Sequence, residues 1–185
     1  MMRVVAPLVA AALFQPPANN QTTAIWLDRP LTGWNKAGSP VPKAPKPPEP
    51  LTTVISRCRL TPPAGDPASA VADAGWIPFN YFGKPIEQGD VAIVGGMTGA
   101  DGMCRPTGYN VFVFVGRRLA GTLSPVVMTS RQDGSSGEIQ LSPPEITVEF
   151  ARYTKTDPLC CPSSRATVRF RIDRTKAGAV VVPIE

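Results

Sequence analysis

Residues 157–165 read Asp-Pro-Leu-Cys-Cys-Pro-Ser-Ser-Arg, so Cys160 and Cys161 stand side by side. Adjacent cysteines can bond to each other, which is redox chemistry, or each can reach a distant partner, which is stapling. Cys58 and Cys104 are the only other cysteines in the chain. Consecutive α-carbons lie about 3.8 Å apart across a trans peptide, whereas a relaxed disulfide spans roughly 4.4–6.8 Å. A direct bond is therefore the costlier arrangement. Pro162 biases Cys161 toward an extended conformation, in which neighbouring side chains point to opposite sides. The expected connectivity bonds Cys58 and Cys104 each to one member of the pair. A vicinal bond acting as a redox switch is the alternative.

Other chemistries are narrowed by what the chain lacks. It has no histidine, which excludes Ser-His-Asp and Cys-His catalysis within the chain and removes the commonest metal ligand. There is no Cys-x-x-Cys spacing of the zinc or thioredoxin kind. Gly95, Gly96, Gly99 and Gly102 read as a glycine-rich loop, without the Walker lysine or dinucleotide fingerprint that a phosphate cradle needs. Asp101 and Asp133-Gly134 fall in turn-like sequence with no complete calcium-loop spacing. No metal and no cofactor is expected. Ser130, Ser135 and Ser136 have no spacing that marks one as the nucleophile of a Ser–Lys pair. Glu145, Glu149 and Asp157 are conceivable acid–base carboxylates, and an enzyme would bring two of them together in a pocket. Trp76, Phe79, Tyr81 and Phe82 form the densest aromatic cluster, which reads either as packing or as a face for a ligand or carbohydrate.

The elements that must position these residues can be read in outline. Residues 1–14 resemble a secretory signal: Arg3, an apolar run from Val4 to Phe14, and small residues at Ala10 and Ala12. The run is shorter than the roughly 20 residues a membrane-spanning helix needs. No cysteine follows it as a lipid-anchor site, so residence in the periplasm, the envelope or outside the cell is expected without such an anchor. Residues 15–50 read as a proline-rich linker, extended and of polyproline II character between Pro40 and Pro50, able to hold a domain off a surface. Asn20-Gln21-Thr22 matches a glycosylation sequon.

Residues 51–185 read as one domain. Asp66-Pro67 opens a short helix, with Asp66 as its cap and Gly75 beyond its end. Strands follow at Asp90–Val94, at Tyr109–Val115 (apolar throughout, hence central), and at Leu119–Leu123 after a Gly116-Arg117-Arg118 turn. Glu145–Tyr153 and Ala166–Asp173 alternate apolar and polar residues. If they pair, Glu145 and Glu149 face Arg169 and Arg171. Val180–Pro183 reads as a last edge strand. The fold class is α+β, mainly antiparallel sheet with one short N-terminal helix, stapled by disulfides. The net charge of +5 is divided as five basic and two acidic residues in 1–50 and 14 and 12 in 51–185. That lacks the concentrated basic face of a nucleic-acid binder. The even cysteine count fits an oxidising compartment.

Three segments carry a family resemblance: Gly102-Met-Cys-Arg-Pro-Thr-Gly-Tyr-Asn-Val-Phe-Val-Phe-Val, then Gly121-Thr-Leu-Ser-Pro, then Arg152-Tyr153 with Asp157-Pro-Leu-Cys-Cys-Pro-Ser. Over roughly residues 55–175 the chain resembles the bacterial LppP/LprE lipoprotein family. The resemblance implies an exported envelope domain and supplies no catalytic residues. The expected role is binding or structural support of an unknown envelope component. The alternatives are a carboxylate enzyme and a thiol–disulfide protein using Cys160–Cys161.

Overall fold

The computed structural model describes residues 25–184. The signal-like segment, the sequon and the first part of the linker lie outside them. The element order is α1 (Leu51–Arg57), α2 (Asp66–Asp73), β1 (Ile77–Phe79), β2 (Ile86–Gln88), β3 (Val91–Ala100), β4 (Pro106–Val115), β5 (Arg118–Thr122), β6 (Ser136–Ser142), β7 (Glu145–Arg152), β8 (Ser164–Thr175) and β9 (Gly178–Ile184). All the strand pairs are antiparallel. In the first sheet β4 lies between β3 and β5, and the other side of β3 pairs with β1 and β2; the second sheet runs β6-β7-β8-β9.

The two sheets share one core. Val91, Ile93, Met97, Val111 and Val113 of the first pack in one cluster with Ile146, Val148, Phe150, Val168, Phe170 and Ile172 of the second. The alternating strands thus place their apolar residues as their period of two requires. Near the rims, β5 lies against β9 and β2 against β6. A second cluster, with Val71, Trp76, Phe112 and Phe114, lies on the other face of the first sheet beneath α2. β4 is therefore covered on both faces, which is why it lacks a polar alternation.

The polar face of β7 and β8 carries the ion pairs Arg169–Glu145 (2.9 Å), Arg165–Glu149 (2.8 Å) and Arg171–Asp173 (2.5 Å). Glu145 meets Arg169 as expected; Glu149 takes Arg165 instead of Arg171. Such exposed pairs contribute about 0–1 kcal/mol each.

Five expectations are corrected. Among the described residues there are two α-helices rather than one. α1 escapes notice because Pro50 precedes it without a capping side chain and Thr52 to Ile55 are all β-branched, a run that disfavours helix; Val54, buried in the core, holds it. Asp66 is the first helical residue of α2 and makes no cap, pairing with Arg117 at 2.6 Å; Gly75, at φ 93°, does stand just past the helix end.

The glycine-rich loop is strand. β3 runs through Gly95, Gly96 and Gly99, and only Gly102 lies in the turn. A Cβ on Gly95 would overlap the Phe79 ring, and one on Gly96 would come within 2.8 Å of Phe112 and Val71. These glycines mark close approach of neighbouring side chains.

The described part of the stretch read as a linker packs on the domain. From residue 25 onward Trp26, Leu27, Leu31 and Trp34 pack on the shared core, and Val41 and Ala44 on the second cluster. Ala44 N–H donates to Ala74 O at 2.8 Å, and Trp76 Nε1–H to Pro42 O at 2.8 Å. The stretch is extended, but it lies along the protein instead of spacing it from a surface.

The disulfides pair Cys58 with Cys104 and Cys160 with Cys161. The β3–β4 turn presents Cys104 to the end of α1, with α-carbons 5.5 Å apart, while the vicinal pair rides on the β7–β8 loop of the other sheet. The expected double staple is therefore not formed.

Candidate functional site

A short helical turn, Tyr81–Gly83, joins β1 to β2 and brings Phe79, Tyr81 and Phe82, three of the four aromatic candidates, to one place. Phe79, on β1, lies over Gly95 of β3. Its ring centroid is 5.4 Å from that of Tyr81 and 6.3 Å from that of Tyr109 on β4. Phe82 is 78% exposed at the rim. Beside these rings is a cavity of about 350 Å³, with Leu60 and Met97 in its apolar wall and Asn80, Ser130 and Ser136 among its polar contributors. Among the described residues, no charged side chain lines it.

Three hydroxyls converge in its wall. Tyr81 OH and Ser136 Oγ share a hydrogen bond of 2.5 Å, and Tyr109 OH and Ser136 Oγ one of 3.1 Å. Ser136 N–H donates to Tyr109 OH at 3.0 Å. Burial pushes the Tyr81 phenol well above its ordinary pKa, with the Tyr109 phenol adding to the shift; burial raises Tyr109 too. Both therefore stay neutral at physiological pH and act as hydrogen-bonding groups. Among the described residues, the cavity lining includes no carboxylate or lysine beside Ser136.

The backbone around this cavity is unusual. Among the described residues, four non-glycine residues have positive φ: Arg59 at 49°, Phe82 at 50°, Cys104 at 61° and Arg131 at 63°. Phe82 and Cys104 line the cavity, while Arg59 and Arg131 adjoin the lining residues Leu60 and Ser130. Left-handed conformations of this kind cost of order 1–3 kcal/mol each and persist where the surroundings enforce them, often at ligand sites. Here the Cys58–Cys104 bond ties two of the four segments together.

Of the aromatic candidates, Phe79, Tyr81 and Phe82 meet at the cavity. Trp76 lies on the opposite face of the sheet, edge-on to Phe112 at 5.4 Å. Tyr109 and Ser136 were legible only as a strand residue and as one serine of several; 27 positions separate them, and no local spacing joins them.

The carboxylates do not converge here. Glu145 and Glu149 are paired on the outer sheet face, and Asp157 accepts hydrogen bonds within its own loop. A second hollow, of about 320 Å³, lies beside the proline-rich strap. The Asn35, Asn110 and Thr122 side chains in its wall bond to nearby backbone, which makes it a seam of the fold.

Among the described residues, no cluster of three or more metal-binding side chains occurs, and no helix is long and apolar enough to cross a membrane. No curated protein and no solved structure matches the chain. The resemblance carried by the β4 segment and the Cys-Cys-Pro element stands on the family comparison: residues 90–175, from the start of β3 to the end of β8, match the model of the LppP/LprE lipoprotein family.

Proposed function

We propose that the chain is an envelope-associated binding domain whose cavity takes a small, largely apolar ligand carrying one hydrogen-bonding group. The observation that carries this reading is the convergence of Tyr81, Tyr109 and Ser136 hydroxyls in an uncharged apolar cavity rimmed by Phe82. Ligand sites commonly have such walls, with a few polar groups that fix orientation. The family's description as lipoprotein supports an envelope setting, and the two disulfides suit an exported, oxidising compartment. Met97, Cys104, Pro106, Tyr109, Ser130 and Ser136 fall inside the family match; Leu60 and the Phe79–Phe82 turn lie before it. The family supplies part of the wall, and the preceding segment completes it.

The reading is one of binding, in which the neutral hydroxyls serve as hydrogen-bonding groups for the ligand. Titration of the folded chain with the apolar fluorophore 1-aminoanthracene tests this. Saturable binding is expected, weakened at least fivefold by Phe82→Ala and abolished by Ser130→Trp, and displaced by an organic extract of cell envelopes. Absence of saturable binding, or equal binding by both variants, would sink the reading.

A further inference from the structure

The Cys160–Cys161 bond is exposed on the β7–β8 loop, whereas Cys58 and Cys104 are half-buried. It joins neighbours in the chain and so ties no distant parts of the fold together. The loop holds its shape by other means. Asp157 accepts hydrogen bonds from Thr154 N–H (2.9 Å), Thr154 Oγ1 (2.6 Å), Ser163 N–H (2.8 Å) and the Ser163 hydroxyl. Tyr153 OH donates to Leu159 O at 3.2 Å, and Cys161 N–H to Pro158 O at 2.9 Å. Beside the pair Leu159 is 68% exposed, an apolar contact for a docking protein. The bond links adjacent residues, and the hydrogen bonds that shape the loop around it do not involve its sulfurs.

We propose that Cys160–Cys161 is a thiol–disulfide exchange site for an exported protein dithiol, separate from the structural Cys58–Cys104 bond. One thiolate of the donor attacks a sulfur of the pair, breaks the Cys160–Cys161 bond and forms a mixed disulfide. The donor's second thiolate then attacks its own sulfur in that mixed disulfide and releases the second protein thiolate. Two electrons pass to the pair, two protons complete the Cys160 and Cys161 thiols, and the donor leaves as a disulfide. The reverse sequence reoxidises the pair. Exposed disulfides are the ones that exchange readily, and access governs the rate.

Graded reduction of the native full chain with dithiothreitol, N-ethylmaleimide quenching and peptide mapping tests this. Cys160 and Cys161 are expected to be labelled at a reductant concentration at least tenfold below that needed for Cys58 and Cys104, with far-UV circular dichroism unchanged. A Cys160→Ser/Cys161→Ser variant is expected to fold and to take no label in that low range. Simultaneous opening of both bonds, earlier opening of Cys58–Cys104, or unfolding when only the vicinal pair is reduced would each overturn the proposal.

Discussion

Tyr81 and Tyr109 show how a polar tip can be buried in an apolar wall. A buried hydroxyl without a partner costs about 1–3 kcal/mol, and here Ser136 satisfies both phenols. Burial leaves its mark on their titration, since each folded-state pKa lies above the ordinary value of 10. In the unfolded chain these phenols ionise near pH 10; in the folded protein they hold their protons longer. Their contribution is fully present below the unfolded pKa and is lost as pH rises through the folded one. Urea midpoints measured from pH 8 to 11 should therefore fall above about pH 10, and Tyr81→Phe should fall less steeply. At neutral pH the same variant should lose only about 0.5–1.5 kcal/mol. Equal alkaline slopes for the two proteins would contradict this account of the phenol.

The strap formed by residues 25–50 acts at the scale of the elements. Asn35 Nδ2 donates to Thr122 O on β5 and to Val181 O on β9, both at 3.0 Å, and its Oδ1 accepts from Thr122 N–H at 2.8 Å. One side chain thus clips an edge strand of each sheet, and a side chain at Gly121 would overlap it. Asn35→Ala should cost about 1–3 kcal/mol through the orphaned backbone groups. Hydrogen exchange should quicken at the Thr122 amide, whose N–H loses its acceptor; unchanged protection there would refute the clip.

Proline content announced the strap's extended backbone but not its contacts, because Trp34 and Asn35 find their partners 87 or more positions away. β4, β7 and β8 were legible because period and burial coincide in them. β3 was cut short at its glycines, whose meaning depends on Phe79, Val71 and Phe112 arriving from other elements. The cavity was half legible for the same reason. Phe79, Tyr81 and Phe82 are neighbours in the chain, while Tyr109 and Ser136 join them only through the fold.

Across the whole molecule the two disulfides differ in what they constrain. Cys58–Cys104 spans 46 positions, and in the chain-entropy account a loop of that size contributes about 4 kcal/mol. It also positions Cys104 and, two residues after Cys58, Leu60 in the cavity wall. Cys160–Cys161 spans one position and restricts the unfolded chain hardly at all. Replacing both members of each pair by serine should separate these roles. Cys58→Ser/Cys104→Ser should lower stability by up to about 4 kcal/mol, a fall in Tm of roughly 8–16 °C for a chain of this size. It should weaken binding in the cavity as well, because the wall loses its tie. Cys160→Ser/Cys161→Ser should stay within about 0.5 kcal/mol of the parent, as surface changes usually do, and should bind as the parent does. Urea denaturation under non-reducing conditions and fluorophore titration on both variants measure these quantities. A larger stability loss from the vicinal pair than from the long-range pair would show that the β7–β8 loop, rather than the tie between α1 and the β3–β4 turn, carries the greater share of the stability.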